Sequence, residues 1–593
     1  MNLYAGRILH VDLTKGVIEP VPLRQEWLKK YWGGWGLALR YFWETVSPGV
    51  NPLSPDNAIV IMTGPFCATA VPMTSRLCLV SKSPQTGTVF QSNIGGGFGP
   101  ELKLAGFDGI SITGRADKPV FLKIVDDRVT LEDASEMAGM GILETEKMLE
   151  HQTGLLGGKT LSIGPAGENL IPFSIVGSES YRQFGRGGSG ALFGSKNLKG
   201  IICRGTGAIK AADMTKLLDT IAQHKSENLF QEDNLVLHTD GSACLVDITN
   251  EMGVHPTKNY TEGLNENSDR LNADAIKEVK LADRACNSCP IACGKFTKTG
   301  TTEVEGPEYE TLCLGGSNCG IDDLPAVILF NRICDDLGMD TMSCGSVIAL
   351  AMELGETGRH DFGLRFGNID GYISVLREIA NLSTVRGKDL AMGSKKLAAK
   401  YQAQDLSAEV KGMDIPAYEP RANYGMGIAY ATSERGACHL RAFTVFSNDP
   451  FDLSRQVMDV IEGQNFSTIK WSMGFCDFWA TIDLKIIADF LSVGLGEEVT
   501  QEELKTAGER IWNLARLFNV QAGFSNVDDV LPKKMMSTKL KKGAYDGNRF
   551  SEEDFGGALS EYYRSRLWNE KGVPEEEKLE ALGLTRFMVE EKQ

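Results

Sequence analysis

The sequence predicts an α+β protein in which a β-rich N-terminal base domain is followed by two mainly helical domains. Three observations lead there. Short β-branched runs separated by Gly, Pro and Asp fill residues 1 to about 210. From about 211 the apolar spacing becomes helical. Near 415 a Pro- and Gly-rich stretch, Pro416-Ala417-Tyr418-Glu419-Pro420-Arg421, resets the pattern before further helices. The expected domains are therefore 1–210, 211–414 and 415–593, a division that 593 residues can support with separate cores.

In the first region, residues 7–12, 58–62, 109–113 and 120–125 read as strands. Two glycine-rich loops lie among them, Asn93-Ile94-Gly95-Gly96-Gly97-Phe98-Gly99 and Gly185-Arg186-Gly187-Gly188-Ser189-Gly190. The second matches G-x-G-x-x-G. With no clear strand directly before it and no partner acid on a following strand, dinucleotide binding is disfavoured. Phosphate cradling by backbone N–H groups remains open, with Arg76 and Arg182 nearby to pair with phosphate. In the second region, residues 324–351 are strongly apolar and 367–403 mix helical apolar spacing with charge. Asp335-Asp336-Leu337-Gly338-Met339-Asp340 reads as a helix end and a new start, its acids serving as caps, metal ligands or acceptors for a ring system. In the third region, 478–492 and 501–518 read as helices.

Composition excludes some functions. The net charge of -17 and the absence of a long basic run disfavour nucleic acid. No apolar run approaches the length of a membrane span, and no secretory signal is recognised at the start. Thirteen cysteines without the density of a small secreted scaffold fit a reducing compartment, so a cytoplasmic location is expected.

The chemistry centres on Cys286, Cys289 and Cys293, spaced C-x2-C-x3-C. Closely spaced thiolates on a loop suit zinc or an iron–sulfur cluster, and either needs a fourth ligand from elsewhere. Cys476, Cys244, Cys313, Cys319, Cys334, Cys344 and Cys438 all compete for that place. Of seven histidines, His439 follows a glycine-rich stretch and adjoins Cys438; its ordinary pKa suits proton transfer near neutrality. Glu310, soon after the triplet, passes protons if burial raises its pKa.

Taken together, Gly164-Pro165-Ala166-Gly167-Glu168-Asn169, Gly185-Arg186-Gly187-Gly188, Gly194-Ser195-Lys196-Asn197-Leu198-Lys199, the cysteine triplet, Gly306-Pro307-Glu308-Tyr309-Glu310 and Gly436-Ala437-Cys438-His439 make the chain resemble the tungsten-dependent aldehyde:ferredoxin oxidoreductase family over nearly its whole length. The resemblance implies a β-rich base and two helical domains enclosing a bis-pterin metal centre. It implies tungsten (molybdenum being the alternative) held by two pyranopterins, Mg2+ joining their phosphates, and a [4Fe–4S] cluster on Cys286, Cys289, Cys293 and Cys476. Arg76 resembles the arginine between cluster and pterin. Asn93 and Gln183 fall where backbone carbonyls meet the magnesium, with Gly95 and Arg182 beside them. Asp335 and Asp340 match a pterin-binding D-x-x-G-x-D motif. Glu310 and His439 match the acid and histidine near the metal, and Tyr418 a substrate-side tyrosine.

Three departures from the family pattern stand out. The second pterin motif, D-x-x-G-L-C, reads Trp471-Ser472-Met473-Gly474-Phe475-Cys476, so its first acid is missing. Leu329 and Arg332 occupy the positions of an E-x-x-H pair that bridges subunits through iron, so a dimer of that kind is not expected. A lysine near the pterin becomes Arg441. The implied activity is oxidation of aldehydes to carboxylic acids, with electrons passing to ferredoxin or a small iron–sulfur subunit. The alternatives are reduction of another substrate class, such as aromatic thioesters with Cys313 or Cys438 on the metal, and an iron–sulfur electron-transfer or scaffold subunit without metal–pterin catalysis.

Overall fold

The computed structural model describes residues 1–588. A β-rich N-terminal region is followed by a largely helical one. Twelve strands form two six-stranded sheets. The first sheet contains β1 (Arg7–Asp12), β2 (Val17–Pro22), β3 (Ile59–Thr63), β4 (Leu77–Lys82), β5 (Val89–Ile94) and β6 (Gly109–Thr113), in the order β2-β1-β6-β3-β4-β5. The second contains β7 (Val120–Val125), β8 (Arg128–Asp133), β9 (Lys159–Ser162), β10 (Val176–Ser178), β11 (Arg182–Phe184) and β12 (Leu198–Arg204), in the order β11-β10-β9-β12-β7-β8. Each sheet is antiparallel except for one parallel pair, β1 with β6 and β7 with β12.

The period of two explains how the sheets pack. On β3, Ile59 and Ile61 enter a core shared between the sheets, together with Leu9, Leu79, Ile110, Leu122 and Ile201. Their neighbours Val60 and Met62 point the other way, into a core shared with helices Gly34–Thr45, Leu453–Met473 and Gln501–Gln521. Strands buried on both faces read as continuous apolar runs, which is why β3 was visible in the sequence. A second helical core is built around helices Leu324–Leu337, Thr341–Glu356 and Ile369–Asn381.

Some expectations shift. The helix placed at 478–492 spans Leu484–Leu495, capped by Asp483, whose side chain accepts from the Ile486 N–H. The 21-residue helix Leu453–Met473 had no counterpart in the reading of the sequence. A strand, β11, does precede the Gly185–Gly190 loop, but it is three residues long and pairs antiparallel with β10. That is not the parallel strand–helix unit of a dinucleotide fold.

Two close approaches set the stage for the site. A Cβ on Gly64 would lie 2.0 Å from the Met473 carbonyl oxygen, so the end of helix Leu453–Met473 rests directly on the turn after β3. Gly474 then stops that helix in the left-handed region. The segment beyond is fixed by the Arg76 N–H donating to the Gly474 carbonyl (3.2 Å) and the Cys476 N–H donating to the Met73 carbonyl (2.9 Å). The cysteine triplet lies between β13 (Lys280–Arg284) and β14 (Gly294–Thr299), which pair with each other, β14 pairing on its other edge with β15 (Thr302–Glu305). No helix among the described residues is long and apolar enough to cross a membrane.

Candidate functional site

These elements enclose a cavity of about 360 Å³. Cys286, Cys289, Cys293 and Cys476 all line it, and all four are half-buried. None of the other cysteines competing for the fourth place is in its lining. The triplet loop is kept out of regular helix by positive φ at Ser288 and Ala292. It is tied down by the Met73 N–H donating to the Ser288 carbonyl (3.2 Å) and the Asn287 N–H donating to the Gly96 carbonyl (3.3 Å). Gly95 is required here, because a Cβ would meet the Cys286 Sγ at 2.6 Å. Arg76 Nη2 donates to the Cys476 Sγ at 3.2 Å.

Glu310 and His439 stand in the same cavity, with Glu310 Oε1 3.3 Å from His439 Nδ1. Glu310 sits at the start of a wide π-type turn, Leu312–Gly316, a rare geometry that recurs at functional sites. Its Oε2 accepts from the Ala417 N–H at 2.9 Å. Burial pushes Glu310 up to about 7, with the Ala417 N–H and Arg186 opposing. Burial, with Arg186 and Arg435 adding to it, lowers His439 to about 3. The residual exposure of both side chains is toward the cavity. Near neutral pH the imidazole is thus neutral, and Glu310 Oε1 and His439 Nδ1 are both buried without a hydrogen-bond partner in the protein. The Tyr418 ring packs 5.3 Å from the His439 ring and 5.3 Å from the Tyr309 ring.

The helix end and new start expected at 335–340 are present. Gly338 ends one helix in the left-handed region, and Asp340 caps the next by accepting from the Met342 and Ser343 N–H groups, both at 3.2 Å. Asp335 accepts from Gln183 Nε2 and from Asn331 Nδ2, each at 2.6 Å, and burial pushes it up to about 8. Asp335, Asp340, Gln183 and Arg182 all line the cavity, and Arg182 pairs with Glu305 at 2.5 Å. Asn93 and Arg441 do not line it. Asn93 lies at the end of β5, which packs against β11, and its Oδ1 is buried without a partner. Arg441 stands behind the wall, paired with Glu434 and seated over the rings of Trp35 (5.0 Å) and Trp471 (4.7 Å).

Two cavity residues went unassigned in the sequence. Arg186 donates to the Ala437 carbonyl (3.0 Å) and the Asp414 carbonyl (2.6 Å), and its Nε lies 3.5 Å from the Asp340 carboxylate. The G-R-G-G motif contained it, but nothing local marked its direction. Asp477 answers the missing acid at 471. Trp471 Nε1 donates to its Oδ1 at 2.9 Å, and Lys470 pairs with it at 2.7 Å. Burial would raise the Asp477 carboxyl, but Lys470 and Arg76 outweigh burial and hold it below the usual range. The carboxylate absent from the start of the motif is present one residue past its end, on the cavity wall beside Cys476.

The family model "Aldehyde ferredoxin oxidoreductase, N-terminal domain" matches residues 8–205, and "Aldehyde ferredoxin oxidoreductase, domains 2 & 3" matches residues 220–584. The tungsten-containing aldehyde ferredoxin oxidoreductase of Pyrococcus furiosus is 37% identical over 606 residues, covering 98% of this chain and 99% of that protein. The one from Thermococcus kodakarensis is 36% identical, covering 98% and 99%. The aliphatic sulfonate oxidoreductase, WOR-like subunit, of Pyrococcus furiosus is 28% identical, covering 98% and 97%. Among solved structures, the active site complex of benzoyl coenzyme A reductase with 1,5-dienoyl-CoA superposes with a TM-score of 0.85 at 24% identity, covering 99% of this chain and 98% of that one, which shows a shared fold. The chain belongs to the aldehyde ferredoxin oxidoreductase family.

Proposed function

We propose that the protein oxidises aldehydes to carboxylic acids, with water supplying the second oxygen, two protons released, and two electrons passing through an iron–sulfur cluster to ferredoxin or a small iron–sulfur subunit. The observation that carries this reading is the Glu310–His439 pair, 3.3 Å apart in the same cavity that four cysteines line.

The residues present fit the implied cofactors. Among the described residues no group of three or more His, Cys, Asp or Glu closes around a single ion. Four cysteines lining one cavity, Cys286, Cys289, Cys293 and Cys476, supply the number of thiolates that a [4Fe–4S] cluster takes. Arg76, Arg182 and Arg186 offer planar donors to phosphate. The carboxylates of Asp340 and Asp477 and the carboxyl of Asp335 offer acceptor oxygens to ring N–H groups, and the buried Asn93 Oδ1 and Arg186 Nε have no hydrogen-bond partner within the protein. These groups would hold tungsten on two pyranopterins, with backbone at Asn93 and Gln183 meeting Mg2+ between the phosphates. When bound, the tungsten centre supplies the two-electron redox chemistry and Lewis acidity.

The protein's own part is proton handling and orientation. His439, neutral across the working range, presents a hydrogen-bonding edge to the carbonyl. Glu310, once ionised, takes a proton from the attacking water. Tyr418 packs against the imidazole and limits its tilt. A specific observation weighs against the thioester alternative. Cys313 is buried with its Sγ 3.4 Å from the Pro256 carbonyl, and Cys438 is buried against Arg435 at 2.9 Å; neither lines the cavity.

The test is anaerobic purification followed by elemental analysis and dye-linked turnover. Tungsten or molybdenum near one per chain, about four irons, and aldehyde-dependent dye reduction are expected. Iron without tungsten or molybdenum would sink the enzyme reading, and turnover of an aromatic thioester without aldehyde oxidation would replace it.

A further inference from the structure

The segment after His439 carries a feature that the reaction alone does not require. Residues 440–452 have no regular secondary structure, yet their burial alternates sharply: Ala442, Thr444 and Val445 are buried, while Phe443 is 42% and Phe446 51% exposed. The backbone is anchored. Asn423 Nδ2 donates to the Thr444 carbonyl at 2.9 Å, and Gln456 Nε2 donates to the Ser447 hydroxyl (2.7 Å) and the Asp449 carbonyl (2.9 Å). Two large aromatic rings are therefore held in solvent by a fixed scaffold. Neighbouring exposed aromatics of this kind mark binding surfaces.

Their contacts say which site they serve. Phe443 meets Tyr418 edge-on, with centroids 5.1 Å apart and planes at 82°, and lies 6.1 Å from the His439 ring. Phe446 meets Phe443 edge-on at 5.5 Å and 78°. Tyr418 and His439 line the cavity. A continuous aromatic series thus runs from the Glu310–His439 pair to the surface, and the edge-on contacts leave ring faces available for stacking. Such faces favour another aromatic ring over a short aliphatic chain, because offset and edge-to-face pairs add to simple area burial.

We propose that Phe443 and Phe446, which lie outside the cavity lining and pack behind its Tyr418–His439 wall, form an aryl-binding lip, and that the preferred substrates are aldehydes carrying an aromatic ring. This rests on the aldehyde-oxidising reading above. The two rings act on selectivity and take no part in proton transfer.

The experiment compares benzaldehyde, phenylacetaldehyde and acetaldehyde as substrates of the anaerobically purified, cofactor-loaded enzyme, for wild type, Phe443→Leu, Phe446→Ala and the double variant. Benzoate binding by calorimetry is followed in parallel. In wild type, kcat/KM for the aryl aldehydes exceeds that for acetaldehyde. Each substitution lowers that ratio by about fivefold, through KM and not kcat, and weakens benzoate by a similar factor, the scale of one lost aromatic contact. Unchanged cluster absorbance and thermal midpoint identify folded variants; Phe446 is exposed enough that its truncation tests the claim even if Phe443→Leu does not fold. Turnover of all three aldehydes with an unchanged ratio and unchanged benzoate binding overturns the lip and leaves the reaction standing. Loss of electron transfer to ferredoxin with the ratio intact overturns it in favour of a protein-docking role. A loaded enzyme that oxidises no aldehyde overturns the reaction, and the lip with it.

Discussion

At the scale of single residues, the site depends on two groups whose ordinary acid strengths are shifted in opposite directions by the same cavity. Burial lifts Glu310 to about 7, and burial with Arg186 and Arg435 lowers His439 to about 3. If Glu310 works in its ionised form, turnover rises with pH through about 7, and no limb from His439 falls in the working range. Glu310→Gln should remove that limb and lower kcat by about a hundredfold, the usual scale of a lost general base; a pH–rate profile reads both. The same residues show what sequence alone conveys. Glu310 and His439 were identifiable because each lies in a distinctive motif. Asp477 was not, because a motif is read in register, and in register the acid's place is taken by Trp471. Only the turn at Gly474 brings the Asp477 carboxylate against the indole N–H, and no residue spacing encodes that.

At the scale of elements, strand β3 was legible because it is buried on both faces, and the helix pair around Gly338 because an acid cap follows a glycine stop. Strands β9, β10 and β11 are three or four residues long, too short for a period to declare itself. Helix Leu453–Met473 escaped notice because it is clasped on several sides and buries polar side chains such as Gln456, Gln464 and Ser472, which blurs its apolar stripe. The helix Gln501–Gln521 offers a clean test of local stability. Thr500 and Glu503 form a reciprocal capping box, with the Thr500 N–H donating to the Glu503 carboxylate (2.8 Å) and the Glu503 N–H donating to the Thr500 hydroxyl (3.2 Å). Thr500→Ala should cost about 1 kcal/mol in denaturant unfolding and leave kcat and KM unchanged, since this cap lies outside the cavity.

At the scale of the whole molecule, distant segments are fastened by buried charge. The Asp529 carboxylate pairs with Lys411 (2.8 Å) and Arg516 (2.8 Å) and accepts from the Tyr563 hydroxyl (2.7 Å). Burial would raise its pKa, but Lys411 and Arg516 prevail and hold it below its ordinary 3.8. A depressed folded-state pKa gives stability that is fully present above the unfolded value and lost as pH falls through the folded one. Asp529→Asn should therefore lower stability by about 3–5 kcal/mol at neutral pH, with the gap to wild type closing below about pH 4; thermal unfolding at several pH values measures it. The cavity itself was the least legible feature, since its walls come from the loop after β5, β11, the triplet loop, the 335–340 segment and residues 418–478, and only the folded chain brings them together. What that assembly is for can be asked of the iron–sulfur chromophore directly. Anaerobic addition of an aldehyde to the oxidised, metal-loaded protein should bleach the cluster absorbance as the acid forms, and Glu310→Gln should keep the chromophore but lose the rapid bleaching. A fully loaded protein whose cluster stays oxidised in the presence of aldehyde would contradict the account.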